Sequence, residues 1–91
     1  SELDQKARRL SVVQPRLTST LLRQTPATVV VIFIVDENGR VQDPKVQRTT
    51  NPSFDRSALS AIKQWKFEPA KVQGRSVSSR LRQSFSFENN T

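Results

Sequence analysis

The longest apolar run in the chain is Val29 to Val35, β-branched throughout except for Phe33. Branched side chains crowd a helix but sit well on a pleated sheet. Apolar residues without alternation predict a strand buried on both faces. Asn38-Gly39 follows, a pair favoured in two-residue hairpin turns where both residues need φ > 0. A second strand is therefore expected to return over Val41 to Thr49. With Glu37 opposite Arg40, a regular ladder puts Val41 and Val46 on opposite faces. One extra residue at Asp43-Pro44 restores both to one face, which predicts a bulge there. Pro44 has no N–H to donate and marks this as an edge strand.

After Asn51 the apolar period changes. Ala58, Ala61, Ile62 and Trp65 recur along one helix face, with Phe54 a turn earlier. Asn51 or Ser53 can cap the start, Asp55 suits the positive end, and Pro69 requires a stop by Glu68. The helix is expected over NPSFDRSALSAIKQWKF, with Trp65 on its inward stripe. An aromatic in that position plugs a core rather than binding a ligand. Gly74 turns the chain into a last strand, SVSSRLRQSFSFE. There Val77, Ser79, Leu81, Gln83, Phe85 and Phe87 share one face, and Arg80, Arg82, Ser84 and Ser86 line the other. Upstream, residues 1–14 are polar with scattered Leu and Val and read as extended or irregular. Leu17, Leu21 and Leu22 form one face of a short helix, with Thr18 as its N-cap and Pro26 as its end.

The order strand, strand, helix, strand defines an α+β fold. It is a single ββαβ domain, with an antiparallel three-stranded sheet, one main helix on one face and a short N-terminal helix. A right-handed crossover places the last strand beyond the first, which becomes central. Its second face is to be covered by the N-terminal segment or by a second subunit. The expected divisions are an extended lead-in at 1–14, the domain proper at 15–88 and a tail at 89–91.

Ninety-one residues make one small domain with room for one core. The absence of Cys and His removes disulfides, thiolate metal sites and the commonest general base. Asp36-Glu37-Asn38 has the wrong spacing for a calcium loop, and the remaining acids are isolated. Ser76, Ser78 and Ser79 have no His, though a Ser-Lys pair stays open. The reading is of a non-enzyme without cofactor or metal. The net charge of +7 invites nucleic acid, an anionic membrane surface or an acidic partner. Against nucleic acid, there is no GXXG loop, no exposed aromatic pair on a strand and no helix dense in Lys or Arg. No apolar run approaches the ~20 residues of a membrane span. No signal peptide is visible, and the abrupt start suits a domain cut from a longer protein.

Residues 29–87 resemble the C-terminal domain of the TonB family of bacterial energy transducers. Asp36, Gly39, Arg40, Val41, Asp55, Ala58, Trp65, Lys66, Phe67, Pro69, Ala70, Gly74 and Val77 stand at matching places. In the lead-in, Gln14 and Pro15 match the family's Gln/x-Pro-x-Tyr-Pro motif. Leu17-Thr18 replaces its Tyr-Pro, and Ala27 stands where Gly is common. The resemblance implies a periplasmic domain of an inner-membrane-anchored protein. Such a domain binds the TonB box of outer-membrane receptors by strand addition and draws on an inner-membrane proton-channel complex through a region outside this chain. Pro44 guards the edge of the second strand, whereas the last strand is free of proline and ends the fold. The expected docking residues are Ser76, Val77, Ser78, Ser79, Arg80, Leu81, Arg82, Gln83, Ser84 and Phe85, with Gln14 and Pro15. The alternative is a basic nucleic-acid-binding or self-associating envelope domain, and the choice between monomer and homodimer stays open.

Overall fold

The computed structural model describes residues 5–88. Residues 1–4 of the expected lead-in and the 89–91 tail lie outside the described residues. In chain order the elements are β1 (Arg8–Ser11), α1 (Ser19–Leu22), β2 (Ala27–Val35), β3 (Val41–Thr49), a 3₁₀ turn (Pro52–Phe54) and α2 (Asp55–Lys63). They continue with β4 (Lys66–Glu68), β5 (Ala70–Val72), β6 (Arg75–Val77) and β7 (Ser79–Phe87). The main sheet is antiparallel with strand order β3-β2-β7, so the apolar strand is central as the crossover rule requires. Two small antiparallel pairs, β1-β4 and β5-β6, complete the fold. The architecture is the α+β one expected, with α2 over β2 and β3.

The core lies on one face of the main sheet. Ala27, Val29, Val31, Phe33 and Val35 meet Phe54, Ala58, Ala61, Ile62, Trp65, Phe67, Phe85 and Phe87. Ala7, Val13, Leu17 and Leu21 pack against the same cluster. The lead-in therefore shares a face with α2 instead of covering the other one. A helix of nine residues is too short to cover three strands, and the lead-in fills the part of the face beside β7. Burial of β2 on its second face is therefore only partial: Val30 is buried, Thr28 and Ile34 are half-buried and Ile32 is 36% exposed.

The predicted bulge is present. Ile32 pairs with Lys45 and Ile34 with Gln42, so Asp43 and Pro44 together stand opposite the single residue Phe33, with Asp43 at φ 49°. Val41 and Val46 both reach the core. A second irregularity separates Arg48 from Val46. The hairpin turn differs from expectation. Val35 pairs with Val41 and the Asp36 N–H donates to Arg40 O at 2.9 Å, leaving a three-residue loop, Glu37-Asn38-Gly39, in which only Gly39 has φ > 0 (80°). The cause is Asp36, whose Oδ1 accepts from the backbone N–H groups of Asn38 and Arg40 at 2.9 Å each. Its carboxylate holds Asn38 in an Asx turn. The turn with two positive φ values lies elsewhere, at Gln73 (51°) and Gly74 (77°) between β5 and β6.

Two further expectations need correction. Asn51 Oδ1 accepts from Ser53 N–H at 3.0 Å and so caps the 3₁₀ turn, whereas α2 begins at Asp55 without a side-chain cap and ends at Lys63. The N–H groups of Gln64 and Trp65 turn back to the carbonyls of Ala61 and Ile62, tightening the last turn. Trp65 is therefore not on the helix. Lys66–Glu68 is extended because it pairs with β1. The last strand is also not continuous: Ser78 separates β6, bound to β5, from β7, bound to β2.

Gly39 is fixed twice over. Its φ is positive, and a Cβ there would stand 1.9 Å from the Phe67 carbonyl oxygen. The Phe67 N–H donates to Gly39 O at 3.0 Å, so the two backbones cannot separate to make room. Gly74 has positive φ but nothing within 4 Å of a built Cβ. Gly74→Ala should cost about 1 kcal/mol, and Gly39→Ala at least twice that, lowering Tm by roughly 10 °C or more. Equal losses in thermal unfolding would contradict the close approach at Phe67.

Candidate functional site

Among the described residues no strand pairs with β7 on the side away from β2. The opposite edge, β3, is interrupted by Pro44 and by the bulge at Asp43. The lead-in does not close the β7 edge, because β1 pairs with β4 instead. A trough remains between them. Arg9, Val12, Gln14, Pro15, Leu17 and Trp65 form one wall, and β7 from Gln83 to Phe87, with Glu88, forms the other. A second depression, lined by Ala7, Arg8, Phe33, Phe67, Leu81 and Arg82, shares Arg9 and Gln83 with the first.

The lead-in is held by its backbone and by Trp65. The indole Nε1–H donates to Val13 O at 2.9 Å, and the Ser57 hydroxyl donates to the Arg16 carbonyl. The Arg9 guanidinium carbon lies 5.9 Å from the indole centroid, within cation–π range. The indole is 5% exposed and meets Phe85 edge-on at 5.7 Å. At the far end Arg8 pairs with Glu68 at 2.8 Å, and Gln5 Nε2 donates to the same carboxylate. These bonds, the Arg8 contact first, hold the Glu68 carboxyl below its ordinary range. Asp36 is held low in the same way, mainly by the Arg40 N–H and then by Gln42, whose Nε2 donates to Oδ2 at 2.9 Å.

Gln14 and Pro15 stand across the trough from Gln83–Phe87. Ser79, Arg80, Leu81, Arg82, Gln83, Ser84 and Phe85 lie on β7 itself. Arg80, Arg82 and Ser84 are exposed on the face away from the core, while Phe85 is buried. Ser76 and Val77 belong to the β5-β6 hairpin and Ser78 to neither strand, so they do not share the β7 edge. Gln83 Nε2 donates to Ser84 O at 2.8 Å, occupying one acceptor of β7. The wall residues Arg9, Val12 and Trp65 were missed from sequence. Apolar residues in a polar lead-in, Leu10 and Val12, were the available signal, and in the fold they are exposed at 67% and 48%. Among the described residues no group of three or more acidic side chains is placed to hold a metal, and no helix is long and apolar enough to cross a membrane.

A family model described as the Gram-negative bacterial TonB protein C-terminal matches residues 21–88. The proteins named Protein TonB from two Xanthomonas campestris pv. campestris strains, B100 and ATCC 33913, are each 35% identical over 60 residues. That alignment takes in 65% of this chain and 27% of each relative, so the chain spans about a quarter of their length. The solution NMR structure of the Pseudomonas aeruginosa TonB CTD superposes with a TM-score of 0.79 at 24% identity. It covers 100% of this chain and 98% of that one, a likeness of fold.

Two outcomes are expected from these contacts. Trp65→Ala should cost about 3–5 kcal/mol in urea unfolding. Trp65→Phe should cost less and mainly release the lead-in, seen as faster amide exchange around Val13. An unchanged lead-in would contradict the indole tie. Both lowered carboxyls favour folding when ionised. That stabilisation is complete above their unfolded pKa values and is lost as pH falls through the lower folded ones, from about pH 4 downward. Tm should therefore fall on acidification, and less steeply in an Asp36→Asn/Glu68→Gln variant. A variant with the slope of the parent would contradict the assignment.

Proposed function

This chain belongs to the family of Gram-negative TonB C-terminal domains, and on that footing we propose that it is the receptor-engaging domain of a periplasmic energy transducer. The free edge of β7 takes up the TonB box of an outer-membrane receptor as an added strand. Energy from an inner-membrane proton-channel complex reaches it through a part of the protein beyond this chain. The single observation that supports this reading most is that β7 lies at the edge of the main sheet with a trough beside it.

Strand addition uses main-chain donors and acceptors for affinity and alternate side chains for specificity. Side chains on one face of the added strand enter the trough between β7 and Gln14-Pro15. Those on the other lie next to Arg80 and Arg82, which favour acidic neighbours. Ser76 and Val77 serve through the β5-β6 hairpin at the start of the edge, and the Gln83 carboxamide swings away from Ser84 as the partner pairs. Each bond contributes a net ~0.5–1.5 kcal/mol and association has its own cost, so affinity should be micromolar. A ladder pulled along the strand direction loads several bonds together, which suits a domain that transmits force.

NMR titration of the labelled domain with a box peptide of a receptor from the same organism checks this. Shifts should concentrate on the amides of Ser79–Phe87 and on Gln14. A proline at a ladder-donating position of the peptide should abolish them. Shifts confined to α2 around Lys63, or none at millimolar peptide, would overturn the proposal. Shifts that follow protein concentration without peptide would instead indicate pairing with a second copy.

A further inference from the structure

The main-sheet face turned away from α2 has a pattern of which strand capture at β7 uses only the Arg80-Arg82 border. Along β2 its residues are Val30, Ile32 and Ile34. Pairing places Ile32 between Lys45 and Arg82, Val30 between Arg48 and Ser84, and Ile34 between Gln42 and Arg80. Ile32 is 36% exposed, Ile34 half-buried and Val30 buried, and the four cations are all exposed. None of these cations has an ion-pair partner among the described residues, where the one salt bridge is Arg8–Glu68. Two carboxylates are near. Asp43 lines a depression on this face together with Ile32, Lys45 and Arg82, and Asp36 at the end of the hairpin is engaged by Gln42 and by backbone N–H groups.

We infer that this face is a peripheral contact surface for an anionic phospholipid bilayer. An aliphatic stripe bordered on both long sides by cations matches that interface. The stems of Lys and Arg lie along an apolar surface while their charged heads sit at phosphate level. Juxtamembrane basic clusters are drawn to anionic lipid in this way. A protein partner would call for a buried aromatic or Arg anchor in a deep central pocket, and this face has neither. The aliphatic area is small, so the contact is reversible and salt-sensitive. It is compatible with strand capture, because a strand added at β7 extends the sheet sideways and leaves the β2-β3 part of this face clear.

Co-sedimentation with vesicles tests it, comparing phosphatidylglycerol/phosphatidylcholine mixtures with phosphatidylcholine alone at low salt. The intact domain should bind only the anionic vesicles and come off at high salt. Lys45→Glu/Arg48→Glu, on the strand remote from β7, should weaken binding about tenfold or more. Ile32→Ser should weaken it by a few-fold. Arg56→Glu/Lys63→Glu, the same charge change on α2, should alter it less than about threefold, and thermal melts confirm that each variant is folded. Equal losses for the two double variants would mean attraction by net charge alone and would overturn the proposal. So would no binding to anionic vesicles, or capture of an acidic peptide at this face without vesicle binding. Box-peptide binding by Lys45→Glu/Arg48→Glu should stay at the parental level, which separates failure here from failure of strand capture.

Discussion

The backbone contact between Gly39 and Phe67 holds the rest of the fold in place. It requires the chain to leave α2 after Lys63 and run extended through Trp65-Lys66-Phe67, against the β2-β3 hairpin on one side and β1 on the other. Had the helix continued to Phe67, Phe67 could not have met the hairpin, and Lys66–Glu68 could not have paired with the lead-in. The indole would also have been carried away from Val13. One short extended segment thus joins hairpin, core and lead-in.

That arrangement has a consequence for β7. Arg8–Ser11 of the lead-in pairs with β4 and Val13 O accepts from the Trp65 indole, so no strand of the lead-in pairs with β7. β7 keeps one edge, and a trough separates it from Gln14 and Pro15. Edge strands invite pairing with foreign chains, and proteins commonly guard them with proline, charge or bulges. Here the guarding is uneven: β3 has Pro44 and a bulge, whereas β7 has exposed arginines on its outer face and a single glutamine bonded to one of its carbonyls. Trp65 and Phe67 are scaffold in the sense that they are buried. By positioning the lead-in they also shape the site without belonging to its edge.

Most of the main sheet was legible because it obeys local rules. The β-branched run marked the central strand, and the misfit between Val41 and Val46 located the bulge. Pro44 marked an edge. The errors arose where two local signals competed. Trp65 continues the helical spacing of Ala58, Ala61 and Ile62, yet W-K-F-E also alternates as a strand. Pairing with β1, some sixty residues away in sequence, decided the matter. Asn38-Gly39 has the preferred residues for a two-residue turn, but the Asp36 carboxylate imposed a longer loop. The break at Ser78 has no sequence mark, since apolar alternation runs through it unchanged and only the change of pairing partner ends the strand. The open edge of β7 was legible; of the wall across the trough only Gln14 and Pro15 were expected, because Arg9 and Val12 reach it only through tertiary folding.

Amide hydrogen exchange along β7 in the isolated domain tests the open edge most directly. Residues of an edge strand direct their N–H groups alternately to the neighbouring strand and to solvent. Protection is therefore expected to alternate from Ser79 to Phe87, with slow exchange toward β2 and fast exchange outward. Uniform protection across the strand, at a protein concentration where the domain is monomeric, would mean that this edge is already covered and would contradict its role as a docking strand.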